Sequence, residues 1–134
     1  MAIELQMVLF SVILGLVHIA VAAVLTVGQY GARWSASARD AAMPPLQGVA
    51  ARCDRALKNF LETFALFVAA VLAARLAGAD GDLVALGAQL YFWGRLAYLP
   101  VYALGIPYLR SVIWLVATAG IVVVLVAALA YCCR

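Results

Sequence analysis

Four apolar stretches, each long enough to cross a bilayer as a helix, take up most of this sequence. They run over about 5–27, 46–77, 83–104 and 108–131, and one crossing takes about 20 helical residues. None alternates apolar and polar residues with a period of two, so barrel strands are excluded and the spans are read as helices. Apolar residues make up 69% of the chain and charged residues 11%, against about 45–50% and about 25% in soluble domains. Too few charges remain to cover a soluble globule of 134 residues. A water-soluble enzyme, a nucleic-acid binder and a disordered chain are excluded. The expectation is one all-α integral membrane domain over 1–134, a bundle of four transmembrane helices.

The first stretch is not read as a secretory signal, since Glu4 stands where a signal carries a basic region and the apolar run is too long. Between the first two spans lies a polar connection, Gln29–Met43, closed by Pro44 and Pro45, and Pro45 suits the first turn of a helix. Residues 78–82 form a turn, with Asp82 expected to cap the third helix. Gly105, Ile106 and Pro107 separate the third helix from the fourth, and Pro100 predicts a kink inside the third. The net charge of +3 is a topology signal. Arg33, Arg39, Arg52, Arg55 and Lys58 gather at the first connection, while Arg75, Asp80 and Arg134 are loop or terminal charges. The positive-inside rule then places that connection in the cytoplasm and both termini on the far side. Cys53 is single, and the pair Cys132–Cys133 lacks metal-site spacing. No metal site is expected.

Membrane burial does not account for the remaining polar residues. On the second helix Arg52, Arg55, Asn59 and Glu62 are spaced 3, 4 and 3 apart, which sets them on one face. Glu62 stands at the membrane edge and calls for a cationic or hydrogen-bonding partner, with Arg55 two turns back; Asp54 and Lys58 fall on another side. The plain alternative is a set of ion pairs stapling the bundle. On the third helix Arg95, Tyr98 and Tyr102 share a face, and an Arg at that depth either snorkels or faces the bundle interior. The tyrosines read alternatively as an interfacial belt. Arg110, in the first turn of the fourth helix, is a cation at the wrong end of a helix dipole and asks for an anion, as do the free N–H groups there. A lipid phosphate or an anionic ligand between helices would answer it. His18, mid-span in the first helix, is read as a neutral histidine bonded to a neighbouring helix, with a functional role as the alternative.

Segment 52–62 reads Arg52-Cys53-Asp54-Arg55-Ala56-Leu57-Lys58-Asn59-Phe60-Leu61-Glu62. It resembles the R-x-x-R-A-x-x-N-x-x-E signature of the MAPEG family, the membrane-associated proteins of eicosanoid and glutathione metabolism. A second block, Arg95-Leu96-Ala97-Tyr98-Leu99-Pro100-Val101-Tyr102 followed by Arg110 and Ser111, resembles the family's third helix and the start of its fourth. The Ala-rich chain looks like a bacterial member, which would place it in the bacterial inner membrane. Thr63 follows Glu62 where some eicosanoid-forming members carry a tyrosine.

The resemblance implies a homotrimer of four-helix protomers, with glutathione as co-substrate between neighbouring protomers near the cytoplasmic face. By position, Arg55, Asn59 and Glu62 would hold the peptide with Arg52 at the margin. Arg95, Tyr98 and Tyr102 would complete the pocket, and Arg110 would stand near the sulfur as the catalytic residue. The chemistry agrees. Arginine forks suit the two carboxylates of glutathione, Glu62 suits its ammonium, and a cation beside a thiol of pKa about 8.5 favours the thiolate. A lipophilic electrophile arriving from membrane lipid would be the second substrate, in a transferase or peroxidase reaction. The alternative is a non-catalytic lipid- or small-molecule-binding protein of the same fold. A small exporter is disfavoured, since Glu4 is terminal and Glu62 lies beside arginines rather than alone in the span.

Overall fold

A computed structural model describes residues 1–79 and 81–133; Asp80 and Arg134, read above as loop and terminal charges, lie outside the described residues. The described residues hold five helices and no strand: α1 (Ile3–Tyr30), α2 (Ala32–Ser35), α3 (Gly48–Leu76), α4 (Asp82–Leu104) and α5 (Leu109–Cys132). Four are long, and the fifth, α2, is a single turn inside the polar connection that sequence alone left without structure.

Two helix starts differ from expectation. Helix α3 begins at Gly48 with Gln47 as its N-cap, so Pro45 stands before the helix rather than in its first turn. The carbonyls of Pro44 and Pro45 are instead acceptors that fasten the connection to α1. Tyr30 Oη donates to Pro44 O and Gln29 Nε2 to Pro45 O at 3.2 Å, while Gln29 Oε1 takes the Gln47 N–H at 3.0 Å. Helix α4 is preceded by Gly81 as N-cap. Asp82 is its first residue and makes no capping bond, though its charge still suits that end of the dipole. Pro100 lies within α4, which continues to Leu104.

Helices α1, α3 and α5 are long and apolar enough to cross a membrane. Of the four expected crossings, α4 alone falls short on composition, and the reason is which way its polar groups point. Tyr91, Arg95, Tyr98 and Tyr102 are buried, while Leu83, Leu86, Trp93, Leu96 and Leu104 form its exposed side. Its average is lowered in large part by these buried polar side chains. The other helices share the outward apolar surface, with Leu16, Leu66 and Leu115 all exposed. This is the inversion expected where the solvent is hydrocarbon.

Helices α4 and α5 pack through small residues. A Cβ on Gly120 would lie 2.5 Å from the Gly87 carbonyl oxygen and 2.7 Å from Tyr91 N, and one on Gly94 would lie 3.0 Å from Ala117 Cβ. Backbones this close leave no room for a methyl group, which is how helices gain contact when lipid removes the hydrophobic drive between them. The core between α3 and this pair is aromatic, with Phe67 and Tyr91 stacked at 4.0 Å. At the end holding both termini of the described chain, the carboxylate of Glu4 takes a hydrogen bond from Arg75 Nη1 at 3.1 Å. These two were read as terminal and loop charges. They are partners 71 residues apart that tie the start of α1 to the end of α3.

Candidate functional site

The other end of the bundle gathers the first half of α3, the last turns of α4 and the first turn of α5. The 3-4-3 spacing on α3 does set Arg52, Arg55, Asn59 and Glu62 along one side, and α4 and α5 meet that side.

Arg52 is the outermost. Its Nε donates to Ala103 O at 2.8 Å, capping a carbonyl at the C-terminus of α4 where a cation is favoured. Its side chain runs past Gly105, whose φ of +73 turns the chain left-handed towards α5; a Cβ there would lie 3.5 Å from Arg52 Nε. Arg52 thus fastens α3 to the α4–α5 turn. One turn on, Arg55 Nε donates to Tyr102 Oη at 3.2 Å, and its guanidinium carbon lies 5.9 Å from the Tyr102 ring centroid. Arg110 reaches the same ring from α5, at 4.8 Å. Two arginines from different helices therefore converge on one tyrosine, a cation–π arrangement that holds both without a carboxylate. Tyr98 meets Tyr102 edge to face at 5.3 Å.

Arg95 faces the interior. It is 0% exposed, donates from Nη1 to Asn59 Oδ1 and from Nη2 to Thr63 Oγ1, both at 2.7 Å, and lies 5.1 Å from the Tyr98 ring and 5.7 Å from that of Tyr91. Thr63 in turn has its hydroxyl 3.2 Å from its own helix carbonyls at Asn59 and Phe60. No carboxylate is among the partners of this buried cation.

A cleft of about 400 Å³ opens between α3, α4 and α5, within the range that holds a small organic ligand. Of the residues anticipated from sequence, Arg55, Asn59, Glu62, Tyr98, Tyr102 and Arg110 line it. Arg52 and Arg95 do not: the first is the helix cap just described, and the second is sealed behind Asn59 and Tyr98. Lys58, Ser111 and Trp114 line it as well. Lys58 had been set on another side of α3. It stands three residues from Arg55, within the width of one helical face, and pairs with Asp54 at 2.8 Å. Ser111 and Trp114 follow Arg110 along α5, and the four-residue step from Arg110 to Trp114 was the signal available for it.

Glu62 was expected to pair with Arg55. Arg55 turns to Tyr102 instead, and among the described residues Glu62 makes no ion pair or hydrogen bond. Arg110 stands in the first turn of α5, where no side chain caps the helix. The lining thus carries three cations against one carboxylate, and among the described residues Arg55, Arg110 and Glu62 make no ion pair. That pattern attracts an anion and offers one separate seat for a cation.

His18 is buried in α1. Its Nδ1 bonds Leu14 O of its own helix at 2.9 Å, not a neighbouring helix, and its ring stacks on Phe60 at 4.6 Å.

The model of the MAPEG family matches residues 7–130, nearly the whole chain. No curated protein and no solved structure gave a match.

Proposed function

The chain belongs to the MAPEG family of integral membrane proteins of glutathione and eicosanoid metabolism, and from that premise we propose that it binds glutathione in the cleft between α3, α4 and α5 and conjugates it to lipophilic electrophiles. The observation that carries this reading is the charge pattern of the cleft: Arg55, Lys58 and Arg110 around one unpaired carboxylate, Glu62. Glutathione is the complement, with two carboxylates, one ammonium and a thiol. Arg55 and Arg110 take carboxylate or thiolate charge, Glu62 takes the ammonium, and Asn59 and Tyr98 meet the peptide backbone.

Arg110 is the residue assigned to the chemistry. A free thiol near pKa 8.5 is mostly protonated at neutral pH; a guanidinium and the positive end of a helix beside it favour the thiolate. The proton leaves to water. The thiolate sulfur forms a bond to the electrophilic carbon, and the displaced electron pair departs with a leaving group or moves into a conjugated carbonyl. With a hydroperoxide the same thiolate attacks the terminal oxygen, the O–O bond breaks and the alkoxide leaves as the alcohol after taking a proton from water. A second glutathione thiol then attacks the resulting sulfenic acid, releasing water and forming the disulfide. No protein nucleophile is needed. The electrophile enters through the apolar outer surface shared by α4 and α5. The full proposal has three copies assembled around shared clefts, in a bacterial inner membrane, with the Arg52 end of the bundle facing the cytoplasm.

The test is a titration of the purified protein in detergent with glutathione, read by the ultraviolet absorbance of the thiolate and by conjugation of a chlorodinitrobenzene. The expected result is a bound thiol whose pKa falls below about 7.5. Saturable binding without thiolate or conjugate would leave the non-catalytic binding protein of the same fold; absence of glutathione binding would overturn the glutathione reading and leave only a binder of lipid or another small molecule.

A further inference from the structure

Arg95 is an unusual resident of a membrane bundle, fully buried and bracketed by two neutral acceptors, Asn59 Oδ1 and Thr63 Oγ1. A guanidinium has donors only, so the atom of Asn59 that meets it at 2.7 Å must be the carbonyl oxygen. This fixes the other half of the amide. Asn59 lines the cleft, and its Nδ2 makes no hydrogen bond and is not among the buried unsatisfied atoms. The amide NH2 is therefore the half left accessible. Thr63 holds the second arm of the guanidinium while its own hydroxyl is tied to the α3 backbone, so the bracket cannot swivel.

We infer that Arg95 is a positioning residue: without touching the ligand, it locks the Asn59 amide with its donor turned to the cleft, so that this point selects an acceptor oxygen, a carbonyl or carboxylate of the bound peptide. The inference rests on the glutathione reading for the identity of the peptide, and on the geometry of α3 and α4 for the lock.

The lock and the selection respond oppositely to one substitution. Asn59→Asp is almost isosteric. One carboxylate oxygen faces Arg95 and gives a buried, so far uncompensated cation its counter-charge, which favours the fold. The other oxygen replaces the donor at the cleft with an acceptor. In the full-length protein in detergent, the expected result is a melting temperature at or above that of the unmodified chain together with a loss of glutathione affinity of about 10- to 100-fold. Asn59→Leu, which removes both halves of the amide, lowers the melting temperature and the affinity together. Arg95→Lys keeps the charge but cannot hold both acceptors in one plane. It raises KM for glutathione severalfold and leaves kcat within about twofold, a split that general loosening of the fold does not give.

Asn59→Asp binding glutathione as the unmodified chain does would overturn the selection, and Asn59→Asp melting as low as Asn59→Leu would overturn the lock. If the unmodified chain binds no glutathione, the ligand reading is what fails. The two melting temperatures then still decide the lock, Asp above Leu supporting it and the reverse refuting it.

Discussion

The two ends of this bundle treat charge in opposite ways. At the Glu4 end, a carboxylate 5% exposed meets Arg75 at 3.1 Å and the account closes within the chain. At the Arg52 end, Arg55 and Arg110 share a tyrosine ring, Arg95 leans on two neutral oxygens, and Glu62 has no partner among the described residues. Arg52 and Arg75 are 23 residues apart on one helix, about 35 Å at about 1.5 Å per residue, so the ends do not neutralise each other. The closed pair fastens helices. The open set leaves charge that, on the proposed function, a ligand with two anions and a cation would complement.

That contrast makes separable predictions. The largest effect is expected from Arg110→Ala, which lowers turnover with glutathione by about 100-fold while steady-state binding of the peptide moves only a few-fold. An unchanged rate would remove Arg110 from the chemistry. Next comes Gly120→Ala, in the tight seam of α4 and α5. The added Cβ would meet the Gly87 carbonyl oxygen at 2.5 Å, and the overpacking costs about 1–3 kcal/mol of stability, read by thermal or denaturant unfolding in detergent. Glu62→Gln weakens glutathione by about tenfold, the loss of one charge-assisted bond, and leaves the melting temperature in place, because among the described residues that carboxylate has no partner. A calorimetric titration that found affinity unaltered would move the ammonium elsewhere. Glu4→Gln does the reverse. It lowers stability by about 1 kcal/mol, reduced because Arg75 is more than a third exposed, and leaves glutathione binding untouched; a change in binding would mean the ends communicate. The smallest effect is expected from Lys58→Ala, since Lys58 is exposed and already paired with Asp54. Affinity shifts by less than about twofold and melting does not move.

The parts of this picture legible in the sequence are those set by spacing along one helix. Apolar runs gave the long helices, and the steps between Arg55, Asn59 and Glu62 put them on the side that lines the cleft. The parts that stayed hidden depend on how one helix is rotated and slid against another. Nothing in the spacing of α4 says that Arg95 meets Asn59 and Thr63 rather than lining the cleft, because that requires the depth of α4 relative to α3. Glu4 and Arg75 were set aside as end charges for the same reason. Lys58 was misplaced because a helical face is wide and a lysine stem is long. The apolar run of α4 reads as a crossing, yet α4 is not among the helices apolar enough on average to cross, since averaging over a helix discards the direction in which each residue points.

That same α4 has a consequence for how the protein is made. An arginine within an apolar helix carries a penalty of up to about 2.5–3.5 kcal/mol for insertion into a bilayer if that helix arrives alone. Here the groups that receive the guanidinium, Asn59 and Thr63, belong to α3, which leaves the ribosome first. The order of the helices along the chain therefore has the acceptors in place before the charge arrives, and α4 expressed without α3 is expected to insert poorly in an assay where the α3–α4 pair inserts well.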